Sequence, residues 1–446
     1  MSDQSGRLLK RIDPDDVPRL RRTGVDRAAV DAVRPIIEDV RARGEPALRE
    51  HGERFGDLEP GAALLRTPDD CAAAADRLDP DSRRAIDNAA GRVAAFARAQ
   101  RACLADLDTP VHGLEDIPVR VGHTVVPVEA AGCYAPGGRY PLVSSVLMTA
   151  CAARAAGVER VVVASPKPTD AILAAAHAAG ADLLLAAGGA QAIAALAFGI
   201  DGAFDGCDVL CGPGNKYVTA AKHVLSAEVG IDMLAGPSEL LVVADATADP
   251  RLVAADLLAQ AEHDADASAL LVTTDADLAD RVETELARQL DDLPTADTAR
   301  LALANGFAVL ARDLDEAFAL ADRVAPEHLE LHINDATTHR DRPRHAGAIF
   351  CGHMGAEVFG DYGIGPNHTL PTGGGARSTA GLSVMDFLRV RTWVASQSLG
   401  SSTPHDRVST TVSPRRAAIE EDTVAMARLE GLEAHARAAQ ARRPLG

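Results

Sequence analysis

Residues 160–215 read RVVVASPKPTDAILAAAHAAGADLLLAAGGAQAIAALAFGIDGAFDGCDVLCGPGN. Three short apolar runs, RVVVASP (160–166), LLLAAGG (183–189) and DVLCGPGN (208–215), alternate here with Ala-rich stretches of helical character. Short Val- and Leu-rich runs that stop at glycine or proline are the signature of strands buried on both faces. Their alternation with helices predicts a mostly parallel sheet with helices packed on it. The same rhythm continues outward through ELLVVAD (239–245), ALLVTTD (269–275) and FAVLARD (307–313). Upstream, residues 25–100 show apolar positions at three- and four-residue spacing, and IPVRVGHTVVPVE (117–129) alternates like a strand.

The expected fold class is therefore α/β, with two Rossmann-like but incomplete parallel-sheet domains and small helical segments at the N- and C-termini. The expected division is a helical segment over 1–24, a discontinuous α/β domain over 25–129 and 240–381, a second α/β domain over 130–239, and a helical tail over 382–446. The tail carries one apolar stripe (Ile419, Met426, Leu429, Leu432) that must be buried somewhere. The 397–414 stretch before its helix reads as a linker.

The chain has 446 residues, enough for two to four domains, and an apolar fraction of 47%, which excludes wholesale disorder. A formal charge of −19 argues against nucleic acid or an anionic membrane as partner. Only Lys10, Lys167, Lys216 and Lys222 are lysines, a balance expected either of a protein working in concentrated salt or of a GC-rich genome that favours Arg, with the salt-adapted reading preferred. The charge is uneven. Residues 377–446 hold ten basic and seven acidic groups, so the rest carries −22, and a basic tail can dock on an acidic body. Seven irregularly spaced cysteines without a CxxC pair indicate free thiols in a reducing cytosol. The N-terminus has no apolar signal core. The longest uncharged run, 183–200, is divided by Gly188, Gly189 and Gln191 into strand, turn and helix, so a soluble cytoplasmic protein is expected.

Several groups could carry chemistry. No GxGxxG occurs, but three glycine loops, Pro136-Gly137-Gly138, Gly188-Gly189-Ala190-Gln191 and Gly212-Pro213-Gly214-Asn215, follow strands or open helices, where backbone N–H groups can meet a phosphate. Ordinary tight turns would look the same one at a time. Gln260 and His263 share a face near the end of a helix started by Asp249-Pro250, as a metal pair or as a solvated face. Pro326-Glu327-His328 sets a carboxylate beside an imidazole. It either opens a helical turn or, because Leu329, Leu331 and Ile333 alternate, enters a strand. Asp361 and His368 lie in a glycine-dense loop. Glu430 and His435 diverge on one helix unless Gly431 breaks it.

Taken in order, GCYAPGGRYPLVSSVLM, GGAQAIAALAFG, CGPGNKYV, AGPSELLVVAD, DLLAQAEHD, APEHLEL, GDYGIGPNHTLPTGGGAR and LEGLEAHARA resemble the histidinol dehydrogenase family over about 130–440. The resemblance implies oxidation of L-histidinol through L-histidinal to L-histidine with two NAD⁺ and one zinc ion per subunit. It also implies an intertwined homodimer whose C-terminal tails are exchanged. The zinc ligands it implies are Gln260, His263, Asp361 and His435, the last from the neighbouring subunit. Glu327 and His328 are the implied acid–base pair. Substrate contacts fall on Ser238, Gln260, His263, His328, Asp361, His368, Glu430 and His435, and NAD contacts on Tyr134, Gln191 and Asn215. A related dehydrogenase of another diol or a sulfonated alcohol is the alternative within the fold, and a zinc hydrolase using Glu327 is the alternative outside it.

Overall fold

The computed structural model describes residues 7–20, 25–112, 119–137, 141–396 and 414–442. Residues 397–413 of the expected 397–414 linker and Gly138 of the first glycine loop lie outside the described residues, while Pro414 begins a helix. The chain forms two compact units, Met1–Ala102 with Pro127–Leu388, and Cys103–Val126 with Arg389–Gly446.

The larger unit holds two six-stranded sheets. In the first, the strands run Lys10–Ile12, Phe307–Leu310, Ser268–Thr273, Glu239–Ala244, His328–His332 and Ala348–Cys351, all parallel. The side-chain period of two sorts its core. Leu240, Val242 and Ala244 pack beneath helices Pro250–Ala261, Ala276–Leu290 and Ala296–Asn305. Leu241 and Val243 pack on the other face with helix Leu314–Val324. Strand His328–His332 follows the same rule with an unusual result. Leu329 and Leu331 join Leu241 and Val243, so His328, Glu330 and His332 all turn toward the face covered by helix Pro250–Ala261.

The second sheet runs Gly230–Ile231, Val209–Cys211, Ala130–Tyr134, Arg160–Ala164, Leu183–Leu185 and Leu65–Arg66, parallel except at the last pair. From Ala130–Tyr134 the chain proceeds to one side, then returns to Val209–Cys211 on the other. The switch point, where α/β sheets open a ligand crevice at the carboxyl ends, thus lies between these two strands.

The expected division of the chain needs correction at three places. Helices Arg27–Arg43 and Glu45–Phe55 share a core with the 130–231 sheet, which also takes Leu65–Arg66 as its edge. Helix Pro80–Ala102 lies on helix Val143–Ala156 of that same half. The 25–102 segment therefore belongs with 130–239 rather than with 240–381. The N-terminal segment contributes a strand, Lys10–Ile12, and a short 3-10 turn, Pro14–Asp16, in place of a helix. The tail begins with strand Leu388–Ser396, which joins Val119–Pro127 and Leu107–Pro110 in the second unit.

In that second unit the tail carries two helices, Pro414–Leu429 and Glu433–Gln440. Gly431 has φ +76°, a conformation that glycine adopts at little cost, and it breaks the expected single helix. Val424, Ala427 and Ala436 form a small core between the two helices, while Met426 and Leu429 stay exposed. Among the described residues no helix is long and apolar enough to cross a membrane.

Candidate active site

Helix Pro250–Ala261 starts as its sequence demands. Pro250 needs no N–H partner, and the Asp249 carboxylate accepts the N–H of Arg251 at 2.9 Å. Its last turn places Gln260 inward at 0% exposure, and His263 follows just past the C-cap. Both amide atoms of Gln260 are buried without a hydrogen-bond partner. A buried amide left unmatched costs on the order of 1–3 kcal/mol, so a ligand is the natural occupant of its bonding capacity.

Asp361 ends the short helix Glu357–Asp361. Its carboxylate stands 3.7 Å from His263 Nε2 and 3.4 Å from His368 Nδ1. Burial works to raise its pKa, yet the hydrogen bond to His368 and the nearby His328 and His263 hold it below the usual carboxylate value. Glu357 completes the group, with Oε1 at 4.0 Å from His263 Nε2 and 3.5 Å from His328 Nδ1. Burial pushes this carboxyl well above its ordinary range, and Oε2 is unpartnered. Donors of one tetrahedral zinc ion stand roughly 3.4 Å apart for metal–ligand distances near 2.1 Å. The His263, Glu357 and Asp361 donors lie within 4.8 Å of one another, so this N/O set fits zinc, and the unpartnered Gln260 amide oxygen is a donor of the same class.

The expected acid–base pair, Glu327 and His328, sits beside this group. His328 opens its strand, which settles the helix-or-strand alternative in favour of the strand. The ring Nδ1 lies 3.2 Å from the carbonyl of Glu239 on the adjacent strand. A carbonyl only accepts, so the proton sits on Nδ1 and the buried, unpartnered Nε2 keeps its lone pair. Burial, the dominant effect, pulls this histidine down to about 4, so it is neutral at physiological pH. Glu327 is held by the Ser238 hydroxyl at 2.5 Å and the Glu239 N–H at 3.0 Å. Burial nevertheless raises it to about 8. Glu239 accepts the N–H of Gly373 at 2.8 Å and is raised by burial to about 7. His263, Glu357 and Asp361 open on a cavity of about 770 Å³ whose far wall is apolar, with Ile86, Val93, Leu147 and Met148.

The three expected cofactor contacts gather at the carboxyl ends of the second sheet. The Tyr134 hydroxyl accepts the N–H of Gly189 at 3.2 Å, and Gln191 donates to Asp57 at 2.8 Å. Asn215 caps helix Lys216–Leu225 by accepting the N–H groups of Tyr217 and Val218. Gly212 has φ +115°, and a Cβ there would run into the Tyr134 carbonyl. The buried Lys222–Asp232 pair braces this turn, with Lys222 Nζ at 3.0 Å from the Gly212 carbonyl and Asp232 accepting the Gly212 N–H at 2.8 Å.

Seven of the expected residues, Ser238, Gln260, His263, Glu327, His328, Asp361 and His368, thus sit in and around one half of the larger unit. Glu430 and His435 belong to the second unit, and both are exposed there. Reading the sequence missed Glu357, Glu239 and Asp57. Each is a carboxylate, buried for Glu357 and Glu239 and half-buried for Asp57, whose placement follows from the fold and has no local signal.

The histidinol dehydrogenase family model matches residues 20–443. The histidinol dehydrogenase of Thermus thermophilus is 44% identical over 429 residues, covering 95% of this chain and 98% of that protein. The histidinol dehydrogenase of Haloarcula marismortui is 40% identical over 447 residues, covering 98% and 99%. The crystal structure of histidinol dehydrogenase from Elizabethkingia anophelis superposes with a TM-score of 0.86 at 32% identity, covering 98% of each chain. Similarity of this extent, in sequence and in fold together, makes the chain a member of the histidinol dehydrogenase family.

Proposed function

We propose that this protein oxidises L-histidinol to L-histidine in two successive steps, as a zinc- and NAD-dependent homodimer acting in histidine biosynthesis. The observation that carries this reading is the set of buried, unpartnered polar atoms, Gln260 Oε1 and Nε2, His328 Nε2 and Glu357 Oε2, on the elements around the His263–Asp361 group. Native cores rarely leave such atoms unmatched unless a ligand or catalysis uses them.

Gln260, His263 and Asp361 would hold the zinc, with His435 from the neighbouring subunit. The ion would supply orientation of the imidazole and amine of histidinol and polarisation of its oxygen. NAD⁺ supplies the acceptor for the hydride. The protein's own groups handle the protons. His328 Nε2 takes the hydroxyl proton as the carbinol C–H bond is broken, which requires the neutral ring that burial maintains. Glu327 takes a proton from the water that adds to the aldehyde carbon, while protonated His328 returns its proton to the aldehyde oxygen; the ring, neutral again, then receives a hydroxyl proton of the hydrate as the second C–H bond is broken. Each step releases one NADH, two per histidinol. Ser238 holds Glu327 in place, and His368 holds Asp361. Glu430 would balance the substrate ammonium from the tail.

Tyr134, Gln191 and Asn215 surround the switch point of the second sheet, the place where α/β folds take dinucleotides. Gly212→Ala is expected to strain this turn by about 1–3 kcal/mol, seen as a lower thermal midpoint together with a raised KM for NAD⁺. A lowered midpoint with NAD⁺ affinity unchanged would detach the loop from cofactor binding.

The direct test is NADH formation from L-histidinol, with and without zinc, from low to multimolar salt. Two NADH per histidinol, lost on chelation and restored by zinc, is the expected result. A folded, zinc-loaded dimer that makes no NADH at any salt concentration overturns the reading and turns attention to other diols and sulfonated alcohols.

A further inference from the structure

Strand His328–His332 places three polar side chains in a row on one buried face, and the function above uses only the first. Glu330 is 0% exposed and His332 is 4% exposed. A carboxylate in the middle of a parallel sheet is costly unless each oxygen is answered. Glu330 Oε1 accepts the N–H of Glu357 at 2.7 Å, the first residue of the helix that carries Asp361. Glu330 Oε2 lies 3.2 Å from His332 Nε2, and the same Nε2 lies 3.3 Å from Asp256 on helix Pro250–Ala261. Asp256 and Gln260 are four residues apart on that helix, so they share a face.

We infer that Asp256, His332 and Glu330 form a positioning clamp that sets the distance between helix Pro250–Ala261, which presents Gln260, and helix Glu357–Asp361, which presents Asp361. The inference rests on the zinc reading above. One imidazolium shared by two carboxylates links the two ligand-bearing helices through the strand between them, and no member of the trio touches the substrate cavity. Burial opposes the charge on His332, but the hydrogen bonds to Asp256 and Glu330 outweigh it and lift the ring to about 9. The trio is positioning machinery. A metal site a few tenths of an ångström too wide loses affinity although all of its ligands remain.

The test uses the full-length enzyme, stripped of metal and titrated with zinc against a chromophoric chelator, then with Co²⁺ for its visible spectrum. Glu330→Gln keeps the shape and the acceptor for the Glu357 N–H but removes the charge that holds His332. It is expected to weaken zinc at least tenfold, alter the Co²⁺ bands and raise the KM for histidinol more than it lowers kcat. Asp256→Asn, which leaves the Glu330–His332 pair intact, is expected to act in the same direction with smaller effect, and it decides the matter if Glu330→Gln does not fold. Unchanged zinc affinity and Co²⁺ spectrum with only a lower melting temperature would show a merely structural trio. Two zinc ions per wild-type subunit, with only one lost in Glu330→Gln, would show that the trio is itself a metal site. No zinc bound by the wild-type enzyme would overturn the functional reading, and the clamp with it.

Discussion

Glu327→Gln is expected to slow oxidation of L-histidinal by a factor of about 10²–10⁴, the usual contribution of a positioned general base, while the alcohol step loses far less. Gln is the same size and can still accept the hydrogen bonds that Ser238 and the Glu239 N–H donate to Glu327. It cannot take a proton from water. The pH dependence separates the two half-reactions further. With its carboxyl raised to about 8, Glu327 is protonated below that pH and becomes a base only above it. The aldehyde step should therefore climb as pH rises through about 8. His328, lowered to about 4, is already in its base form across this range, so the alcohol step should stay level there. The variant should lose the climb near pH 8. The measurement is single-turnover NADH formation from histidinol and from added histidinal across pH. Equal slowing of both steps would remove Glu327 from water activation.

His435→Asn is expected to strip the enzyme of zinc and of nearly all activity while leaving the larger unit folded. His435 is exposed in the tail unit, outside the cores of the sheets, so its replacement leaves no cavity. Elemental analysis and circular dichroism on the purified variant check both halves of this statement. The origin of the ligand is tested by co-expressing His435→Asn with Asp361→Asn. If each site is built from two subunits, half of a statistical mixture is mixed dimer, and each mixed dimer has one intact site. Roughly a quarter of wild-type activity should then return. If His435 serves its own subunit, no mixed dimer has an intact site and nothing returns. Full zinc content in His435→Asn would discard the assignment altogether.

The parallel sheets were readable because strands buried on both faces announce themselves as Val and Leu runs that end at turn-forming residues, as in 160–166 and 239–245. The alternation of Leu329, Leu331 and Ile333 carried more than a strand. It already implied that His328, Glu330 and His332 share the opposite face, and the fold shows which helix covers that face. Local signals failed where partnership is decided at a distance. The amphipathic helices of 25–102 declare an inward face but not the sheet that receives it. Leu65–Arg66 and Lys10–Ile12 are too short and too polar to read as strands at all. In the site, Gln260, His263 and Asp361 were found through a motif. Glu357, in GAEVFGD, looks like a surface carboxylate until Glu330 and the strand beneath it draw it inside. Gly431 marked a place where the tail helix could break, because glycine turns the chain at least cost, and whether it did was decided only by the packing of the two helices through Val424, Ala427 and Ala436.

The strand Lys10–Ile12 has a consequence for the order in which the molecule is made. It leaves the ribosome long before Phe307–Leu310, its ladder partner among the described residues. The sheet that takes Leu65–Arg66 at its edge is complete once Gly230–Ile231 has been synthesised. Domains tend to fold as they emerge, at about 5–20 residues per second, so that half can close many seconds before the other has its strands. The N-terminal segment must wait through this interval without its place in the sheet. Its polar, charged character suits it to that wait, and its late docking makes closure of the sheet that it joins a sign that synthesis has run past residue 310.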